Sequence, residues 1–452
     1  MYHYIKTCIS IGKDKTDPIY IRWGVNQGDP MSPLLFNLAM DPLLCKLENE
    51  GQGFQHGEWK VTAMAFADDL VLLSDSWESM QRNIKILEAF CQLTGLHTQG
   101  EKCHSFYIKP TRDSYTINYC LIWVINGSPL NMIDPGSSEE YLGRWVDPWT
   151  GFADSGLPEK LADWLQRIGC SSLKPLQKVN ILRTYTIPRL IYLADHTEVN
   201  VGLLESLDMS IRKWSGSGFT SHRVTCDAIL YSSFKDGALG IIKLAALIPS
   251  IQAQRLHRLA QSLDEALVGF LKDEQLDQVF ERLWIKAGGR QESIPSIWEP
   301  LPEVGGGGVE AQSEWEAPTS KVRYPRPCDW RKIEFERWVH LVAQGHGIEN
   351  LVNDVISNAW IRQYKGIPPQ KLITALQLRA NVYPTREFLA RGRHEEAVRS
   401  CRHCGARFET VAHIVGNCPI TQEARIKRHN IVCEVLSLRL GRRIGLSSRS
   451  CT

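Results

Sequence analysis

The chain has 452 residues, which at about 100–200 residues per domain predicts two to four folded units. Hydrophobic residues make up 43% and charged residues 23%, so a wholly disordered chain is excluded. The 52 Lys and Arg residues nearly balance the 50 Asp and Glu residues, and the net charge of +2 means that any basic surface must be local. Residues 1–17 lack the apolar segment of a secretory signal, and no run of about 18 apolar residues predicts a membrane span.

The first 110 residues alternate strand-like runs with helical patterns, which predicts an α+β fold. Asp29 followed by Pro30 predicts the start of a helix, because Asp can cap it and Pro is tolerated in the first turn. Residues 60–73 predict a hairpin whose corner is formed by Asp68 and Asp69. Residues 79–93 carry apolar side chains at helical spacing and predict an amphipathic helix.

From about residue 155 the pattern is almost wholly helical. Helices are predicted from Pro175 to Pro188, around residues 203–214, and over residues 251–271. Four consecutive glycines and several prolines within residues 303–328 predict a linker. Residues 329–395 are helical again, and a basic tail ends the sequence.

Two adjacent carboxylates, Asp68 and Asp69, stand between two apolar strands at the predicted hairpin corner. Mg²⁺ prefers oxygen ligands and binds through one or two carboxylates, and a pair of such ions can stabilise the attacking and leaving oxygens of nucleotidyl transfer. The alternative is an ordinary polar β-turn. About forty residues earlier, Gln27 and Gly28 precede the first helix, where an amide and a close backbone approach can line a nucleotide pocket.

Four metal-ligand residues cluster near the C-terminus with spacings of two, eight and four intervening residues: Cys401, Cys404, His413 and Cys418. This set predicts a tetrahedral structural zinc site, and chance proximity of reduced thiols is the alternative. His403 and His429 are the rival nitrogen ligands; His413 is preferred because Ile414 and Val415 after it suit a small packed turn. The nearby cations suit phosphate contact or form an exposed charged face: Arg402, Arg407, Arg425, Lys427 and Arg428.

A second group of Lys and Arg side chains lies in the helical region. Two tyrosines, Tyr185 and Tyr192, are interspersed with them in the sequence. These cations can follow the phosphates of a nucleic-acid duplex, and a charged solvent-exposed helix is the equal alternative. The predicted nucleic-acid-binding residues are Lys174, Lys178, Arg183 and Arg189.

Taken in order, several motifs resemble the reverse transcriptases of non-LTR (LINE-type) retrotransposons. They are GxxQGDPxSP at residues 24–33, FADD at 66–69, GLxxxxxK at 95–102 and YLG at 141–143. Residues 173–192 and the KDGALGI segment at 235–241 resemble more specifically the site-specific elements that insert into ribosomal RNA genes. The resemblance covers about residues 5–245 and 395–420.

The resemblance implies a partial right-hand polymerase followed by helical and zinc-binding parts. It divides the chain into six parts: a partial reverse transcriptase palm and fingers (1–150), a helical thumb (151–300), a flexible linker (301–328), a helical linker domain (329–395), a CCHC zinc knuckle (396–435) and a basic tail (436–452). The resemblance makes Asp68 a direct Mg²⁺ ligand and Asp69 its required neighbour. The other implied site residues are Gln27, Gly28 and Lys102 for template and nucleotide, and Tyr141, Leu142 and Gly143 for the primer grip.

The implied function is RNA-directed DNA synthesis by two-metal nucleotidyl transfer, primed by a DNA 3′-OH at the target. The implied partners are an RNA template, a DNA primer or target and dNTPs, with Mg²⁺ and structural Zn²⁺ as cofactors, a nuclear location and no membrane. Family members carry a further metal-binding aspartate upstream and a nuclease domain downstream, and we find neither here. We therefore expect a chain truncated at both ends with little polymerase activity alone; the alternative is a non-catalytic nucleic-acid-binding remnant with a zinc knuckle.

Overall fold

The computed structural model forms two compact units, one made of residues 1–155 and 259–276 and the other of residues 156–258 and 277–452. The structure describes residues 6–20, 28–112, 114–118, 121–134, 136–148, 150–152, 156–196, 200–219, 227–273, 275–299, 326–342, 344–362, 366–390 and 399–444. Most of the predicted linker and Gln27 lie outside these residues. No helix in these ranges is long and apolar enough to cross a membrane.

The elements confirm a mixture of helices and strands. The strands are β1 (Lys6–Thr7), β2 (Ser10–Ile11), β3 (Asp14–Lys15), β4 (Ile19–Tyr20), β5 (Phe54–His56), β6 (Trp59–Val61), β7 (Ala63–Phe66), β8 (Asp69–Leu72), β9 (His104–Ser105), β10 (Ile108–Pro110), β11 (Tyr115–Ile117), β12 (Val124–Ile125), β13 (Ser128–Pro129), β14 (Asn131–Met132), β15 (Glu139–Tyr141), β16 (Arg144–Asp147) and β17 (Gly151–Phe152). The helices are α1 (Ser32–Glu50), α2 (Trp77–Thr94), α3 (Leu157–Cys170), α4 (Pro175–Ile181), α5 (Ile187–Asp195), α6 (Val201–Phe219), α7 (Asp227–Tyr231), α8 (Leu244–Ala260), α9 (Glu265–Asp273), α10 (Leu276–Lys286), α11 (Trp330–Val339), α12 (Val355–Arg362), α13 (Pro369–Arg379), α14 (Arg386–Leu389) and α15 (Gln422–Ile444).

The core of the first unit lies between α1 and α2. Leu43 and Leu47 of α1 are buried with Ile84 and Leu87 of α2, because both helices carry apolar residues at spacings of three and four. Ser76 caps α2 by accepting the N–H of Ser79 at 3.2 Å. The two helices thus provide a packed base for the hairpins.

Antiparallel hairpins make up most of the strands of the first unit. The β5–β6 and β7–β8 pairs follow α1, and β15–β16–β17 form a three-stranded sheet. The ring of Trp77 at the start of α2 stacks on Trp123 with centroids 4.5 Å apart. Helix α9 packs on β6, where a Cβ at Gly269 would overlap the Trp59 indole ring, so only glycine fits there.

One continuous hydrophobic core runs through the second unit. It joins buried residues of α3 to α8 with buried residues of α11 to α14, from Leu157 to Phe388. The predicted inward residues Leu176, Val179 and Leu182 are all buried. The first part of the predicted thumb and the predicted linker domain therefore share a core, while the finer domain division stays a prediction.

A buried carboxylate joins two helices of this core. Asp208 of α6 is only 2% exposed and accepts the backbone N–H groups of Leu244 and Ala245 at 2.9 and 3.0 Å, at the start of α8. These N–H groups have no partner within their own helix, so the carboxylate caps it from outside. Burial raises the pKa of Asp208 to about 6, although the two N–H groups and nearby Lys243 oppose the rise.

Two helix predictions for the second half of the chain were wrong at their boundaries. Pro188 does not end the helix that begins at Pro175: a π-helical turn over Leu182–Thr186 leads into α5, and its wider turn accommodates the proline. Residues 251–271 are not one helix, because α8 ends at Ala260 and α9 begins at Glu265. Asp264 accepts the N–H of Leu267 at 3.1 Å and so starts a new helix.

Candidate active site and metal centre

The predicted hairpin with two aspartates at its tip is present. Strands β7 and β8 pair antiparallel with Phe66 opposite Asp69, so Ala67 and Asp68 form a two-residue loop. Ala67 has φ of 53°, a left-handed conformation that costs a non-glycine residue about 1–2 kcal/mol. Both aspartates are exposed. The turn therefore presents two adjacent carboxylates to solvent on a strained but hydrogen-bonded support, an arrangement that fits a hard divalent cation.

A second tight hairpin carries the predicted primer-grip residues. Tyr141 pairs with Arg144 across the β15–β16 hairpin, and the loop residues Leu142 and Gly143 have φ of 50° and 74°. Burial raises the pKa of the Tyr141 hydroxyl, and the negative charge of Asp69 raises it further. The charge at the hairpin tip therefore acts on Tyr141, although the two residues lie in different hairpins.

Two other predicted site residues lie in exposed turns of the first unit. Gly28 has φ of 88° just before α1, where Asp29 accepts the N–H of Met31 at 3.0 Å. Lys102 ends a short 3₁₀ turn that begins at Gly100. Their template and nucleotide roles stay predictions, as does that of Gln27, which lies outside the described residues.

The four cations predicted to bind nucleic acid differ in their surroundings. Lys178 donates to the carbonyl of Gly169 at 2.7 Å, and the Arg183 guanidinium lies 4.2 Å from the centre of the Phe234 ring. Burial lowers the pKa of Arg183. Lys174 and Arg189 are exposed, and Arg189 stacks 4.0 Å from the centre of the exposed Tyr185 ring. An exposed arginine on an aromatic ring suits a nucleic-acid surface better than the partly buried Arg183.

The predicted cysteine and histidine ligands come together in the second unit. One ligand atom from each residue lies within 4.8 Å of the others in the set Cys401, Cys404, His413 and Cys418. The Cys404 Sγ and His413 Nε2 atoms are 3.2 Å apart. Burial opposes ionisation of the Cys401 thiol, but N–H groups of Cys404 and His403 outweigh it and hold the pKa at about 7. Three sulfurs and one nitrogen at these separations fit a tetrahedral zinc ion.

The competing histidines are not part of this group. His403 is absent from the set of converging ligand atoms, and the His429 Nε2 atom lies 3.4 Å from Cys433 Sγ on α15. The turn between the first two cysteines is closed by the Gly405 N–H, which donates to the Cys401 carbonyl at 2.9 Å. On the other side, the Thr410 hydroxyl accepts the N–H of His413 at 3.0 Å.

Sequence reasoning missed an ion pair inside this motif, between the buried Glu409 and the half-exposed Arg402. Glu409 has no exposed side-chain surface, and Arg402 donates to it through Nη2 at 2.6 Å and through Nε at 3.0 and 3.1 Å. Arg402 pairs with this carboxylate and keeps about half of its side chain exposed, so its contact with phosphate stays a prediction. The only sequence signal was an acidic residue inside a basic Cys/His segment.

Comparisons with known proteins agree with these features. The family described as "Reverse transcriptase (RNA-dependent DNA polymerase)" matches residues 1–145. The "Retrovirus-related Pol polyprotein from type-1 retrotransposable element R2" of Popillia japonica is 27% identical over 94% of this chain and 63% of the relative. A relative of the same name from Nasonia vitripennis is 27% identical over 97% of this chain and 38% of its own length.

A third relative, from Drosophila melanogaster, is named "Retrovirus-related Pol polyprotein from type-2 retrotransposable element R2DM". It is 28% identical over 95% of this chain and 37% of its own length. This chain thus spans between about a third and two thirds of these relatives. The resemblance seen in the motifs is confirmed: residues 1–145 match the reverse transcriptase family, and the chain is similar along most of its length to proteins named as Pol polyproteins of the retrotransposable element R2.

Proposed function

We propose that this chain is the reverse transcriptase portion of an R2-type retrotransposon protein and catalyses RNA-directed DNA synthesis. The hairpin tip carries the proposal: Asp68 in the strained loop and Asp69 at the start of β8 are both exposed, and the charge of Asp69 acts on Tyr141. The palm and fingers in residues 1–150 and the thumb in residues 151–300 are part of this proposal. So are the RNA template, the DNA primer or target, dNTPs and a nuclear location.

In this mechanism Asp68 would hold Mg²⁺ directly and Asp69 would support the same site. Bound Mg²⁺ supplies charge stabilisation at the attacking and leaving oxygens of nucleotidyl transfer. Tyr141, Leu142 and Gly143 would position the primer strand, because their tight loop presents a rigid backbone. Gln27, Gly28 and Lys102 would border the template and incoming nucleotide, and Lys174, Lys178, Arg183 and Arg189 would contact the duplex.

Primer extension on a primed RNA template tests the polymerase proposal. We expect weak but Mg²⁺-dependent dNTP incorporation, lost by at least about 100-fold in an Asp68→Asn, Asp69→Asn double variant. Glu48→Gln is the matched control, because Glu48 is an exposed carboxylate on α1 of the same unit. Equal incorporation by the double variant and the wild-type chain would contradict the proposal.

The converging Cys401, Cys404, His413 and Cys418 also support a proposed structural Zn²⁺ site. A second candidate function is non-catalytic nucleic-acid binding, which the exposed Arg189 stacked on the Tyr185 ring favours. Tight, salt-sensitive binding of a primed template without any dNTP incorporation would favour that candidate. Metal analysis should give about one zinc per chain, with loss in His413→Ala and retention in His403→Ala.

A further inference from the structure

Glu409 lies between the two halves of the Cys/His cluster. Its backbone N–H donates to the Arg399 carbonyl at 2.8 Å, and the Cys401 N–H donates to the Ala406 carbonyl at 2.8 Å. These bonds pair the segment that leads into Cys401 with the segment that leads out of the cysteine turn. Backbone hydrogen bonds alone therefore fix the position of the Glu409 main chain.

The side chain of Glu409 holds the peptide that follows the first ligand. The Arg402 backbone N–H, directly after Cys401, donates to Glu409 Oε2 at 2.7 Å. The Arg402 guanidinium closes a ring around the same carboxylate. Burial alone would raise the pKa of Glu409, but Arg402 and the backbone N–H groups lower it to about 2. The carboxylate is thus a fully ionised acceptor, and it orients the start of the cysteine turn.

The same carboxylate also binds the element in front of the cluster. Glu409 Oε1 accepts the Arg386 backbone N–H at 2.9 Å at the start of α14, and the Arg386 guanidinium donates to the Ser400 carbonyl at 3.2 Å. The Arg402 Nη2 atom also donates to the Pro384 carbonyl at 3.2 Å. Phe388 of α14 belongs to the continuous core of the second unit. Glu409 therefore links the cysteine turn to this core through bonds that need no metal.

We propose that Glu409 is a positioning residue for the Cys401, Cys404, His413 and Cys418 metal site: it holds the cysteine turn in its ligand-presenting form and anchors it to α14. This inference rests on the zinc site of the proposed function and adds a role for residues that are not ligands. Outer partners that orient ligands typically contribute about 10–100-fold to metal affinity. A carboxylate that accepts one backbone N–H directly after the first ligand and another at the start of α14 is placed for that effect.

Zinc affinity of the full chain, measured by competition with a chromogenic chelator, tests this proposal. Glu409→Gln keeps the shape of the side chain but puts an amide donor against the N–H groups and Arg402, so we expect zinc affinity to fall by about 10–100-fold. Co²⁺ substitution gives a second measurement: the ligand-field bands of the variant should weaken or shift, because the Cys401 and Cys404 sulfurs no longer hold one geometry. Glu387→Gln is the control, because Glu387 faces Arg399 at 3.9 Å next to the same cluster and should leave both readouts unchanged.

A milder change covers the case in which Glu409→Gln fails to fold. Arg402→Lys keeps the positive charge but loses the guanidinium fork, and we expect a smaller fall in zinc affinity with circular dichroism unchanged. Wild-type affinity and Co²⁺ spectrum in folded Glu409→Gln or Arg402→Lys would overturn the positioning role alone. A wild-type chain that binds neither ion would overturn the zinc site itself, and neither result would bear on the polymerase proposal.

Discussion

The carboxylate of Asp69 raises the pKa of the Tyr141 hydroxyl, although the two residues belong to different hairpins of the first unit. The relationship links the strand end that carries the proposed metal ligands with the loop proposed to hold the primer. The pKa of Tyr141 can therefore be used to detect this relationship without any measurement of catalysis.

Removing the charge of Asp69 should lower the pKa of Tyr141. A negative neighbour disfavours the phenolate, so Asp69→Asn removes one of the two causes of the raised pKa and burial remains. NMR titration of ¹³C-labelled tyrosine, with Tyr141→Phe to assign the signal, measures the change. Asp68→Asn is the control and should shift the pKa of Tyr141 less; a larger shift in that variant would contradict the assignment of the effect to Asp69.

Replacing Ala67 with glycine should stabilise the first unit. The φ of 53° strains an alanine, and glycine adopts it freely, so we expect a gain of up to about 1 kcal/mol in the free energy of unfolding. Ala63→Gly, in the extended strand β7 of the same hairpin, should destabilise instead, because glycine there loses entropy and removes a methyl group packed against the core. Chemical denaturation of both variants measures the contrast, and two changes of the same sign would refute the strained turn.

The buried Asp208 should make the stability of the second unit depend on pH. Its folded pKa of about 6 lies above the ordinary value of 3.8, so the folded state binds the proton more tightly. This contribution is complete below pH 3.8 and is lost as pH rises through about 6, a change of at most about 3 kcal/mol.

Asp208→Asn imitates the protonated acid and removes this dependence. The melting temperature of the variant, relative to the wild-type chain, should therefore rise between pH 4.5 and 7.5. Asp163→Asn, an exposed residue paired with Arg167 on α3, should show no such trend. A relative melting temperature that falls over the same range would contradict the assignment.

Arg189 should contribute more to duplex binding than Lys178. Arg189 is exposed on the Tyr185 ring, whereas the Lys178 ammonium is already bonded to the Gly169 carbonyl. Arg189→Ala should weaken binding of a primed RNA template and reduce the slope of log affinity against log salt by about 1, and Lys178→Ala should do so less. Fluorescence anisotropy at several salt concentrations measures both. Lys46→Ala on α1, where Lys46 pairs with Glu50, is the control.

Features that depend on a few neighbouring residues were the easiest to predict from the sequence. The Asp68-Asp69 corner and the cysteine spacing specify turns within a few residues, so both the hairpin and the ligand set could be predicted. The effect of Asp69 on Tyr141 could not, because it acts between two hairpins that are distant in the chain. Glu409 was missed for the same reason, since one of its partners is the backbone of Arg386.

The helix boundaries failed where polar capping competes with apolar periodicity. Apolar residues continue at helical spacing through residues 251–271, yet Asp264 offers its carboxylate to the N–H of Leu267 and restarts the helix. Pro188 was expected to stop a helix, but the π-helical turn before it provides the room that a proline needs.

The core that runs from Leu157 to Phe388 draws its buried side chains from both sides of residues 300–325 in the sequence. The helices before this stretch and the helices after it therefore form one cooperatively folded core, and the peptide chain that connects them is not needed to hold them together. A protein nicked by protease in that stretch should migrate as two bands under denaturing conditions yet elute as a single species in native buffer. The same logic would let the two fragments be produced as separate polypeptides and reassembled.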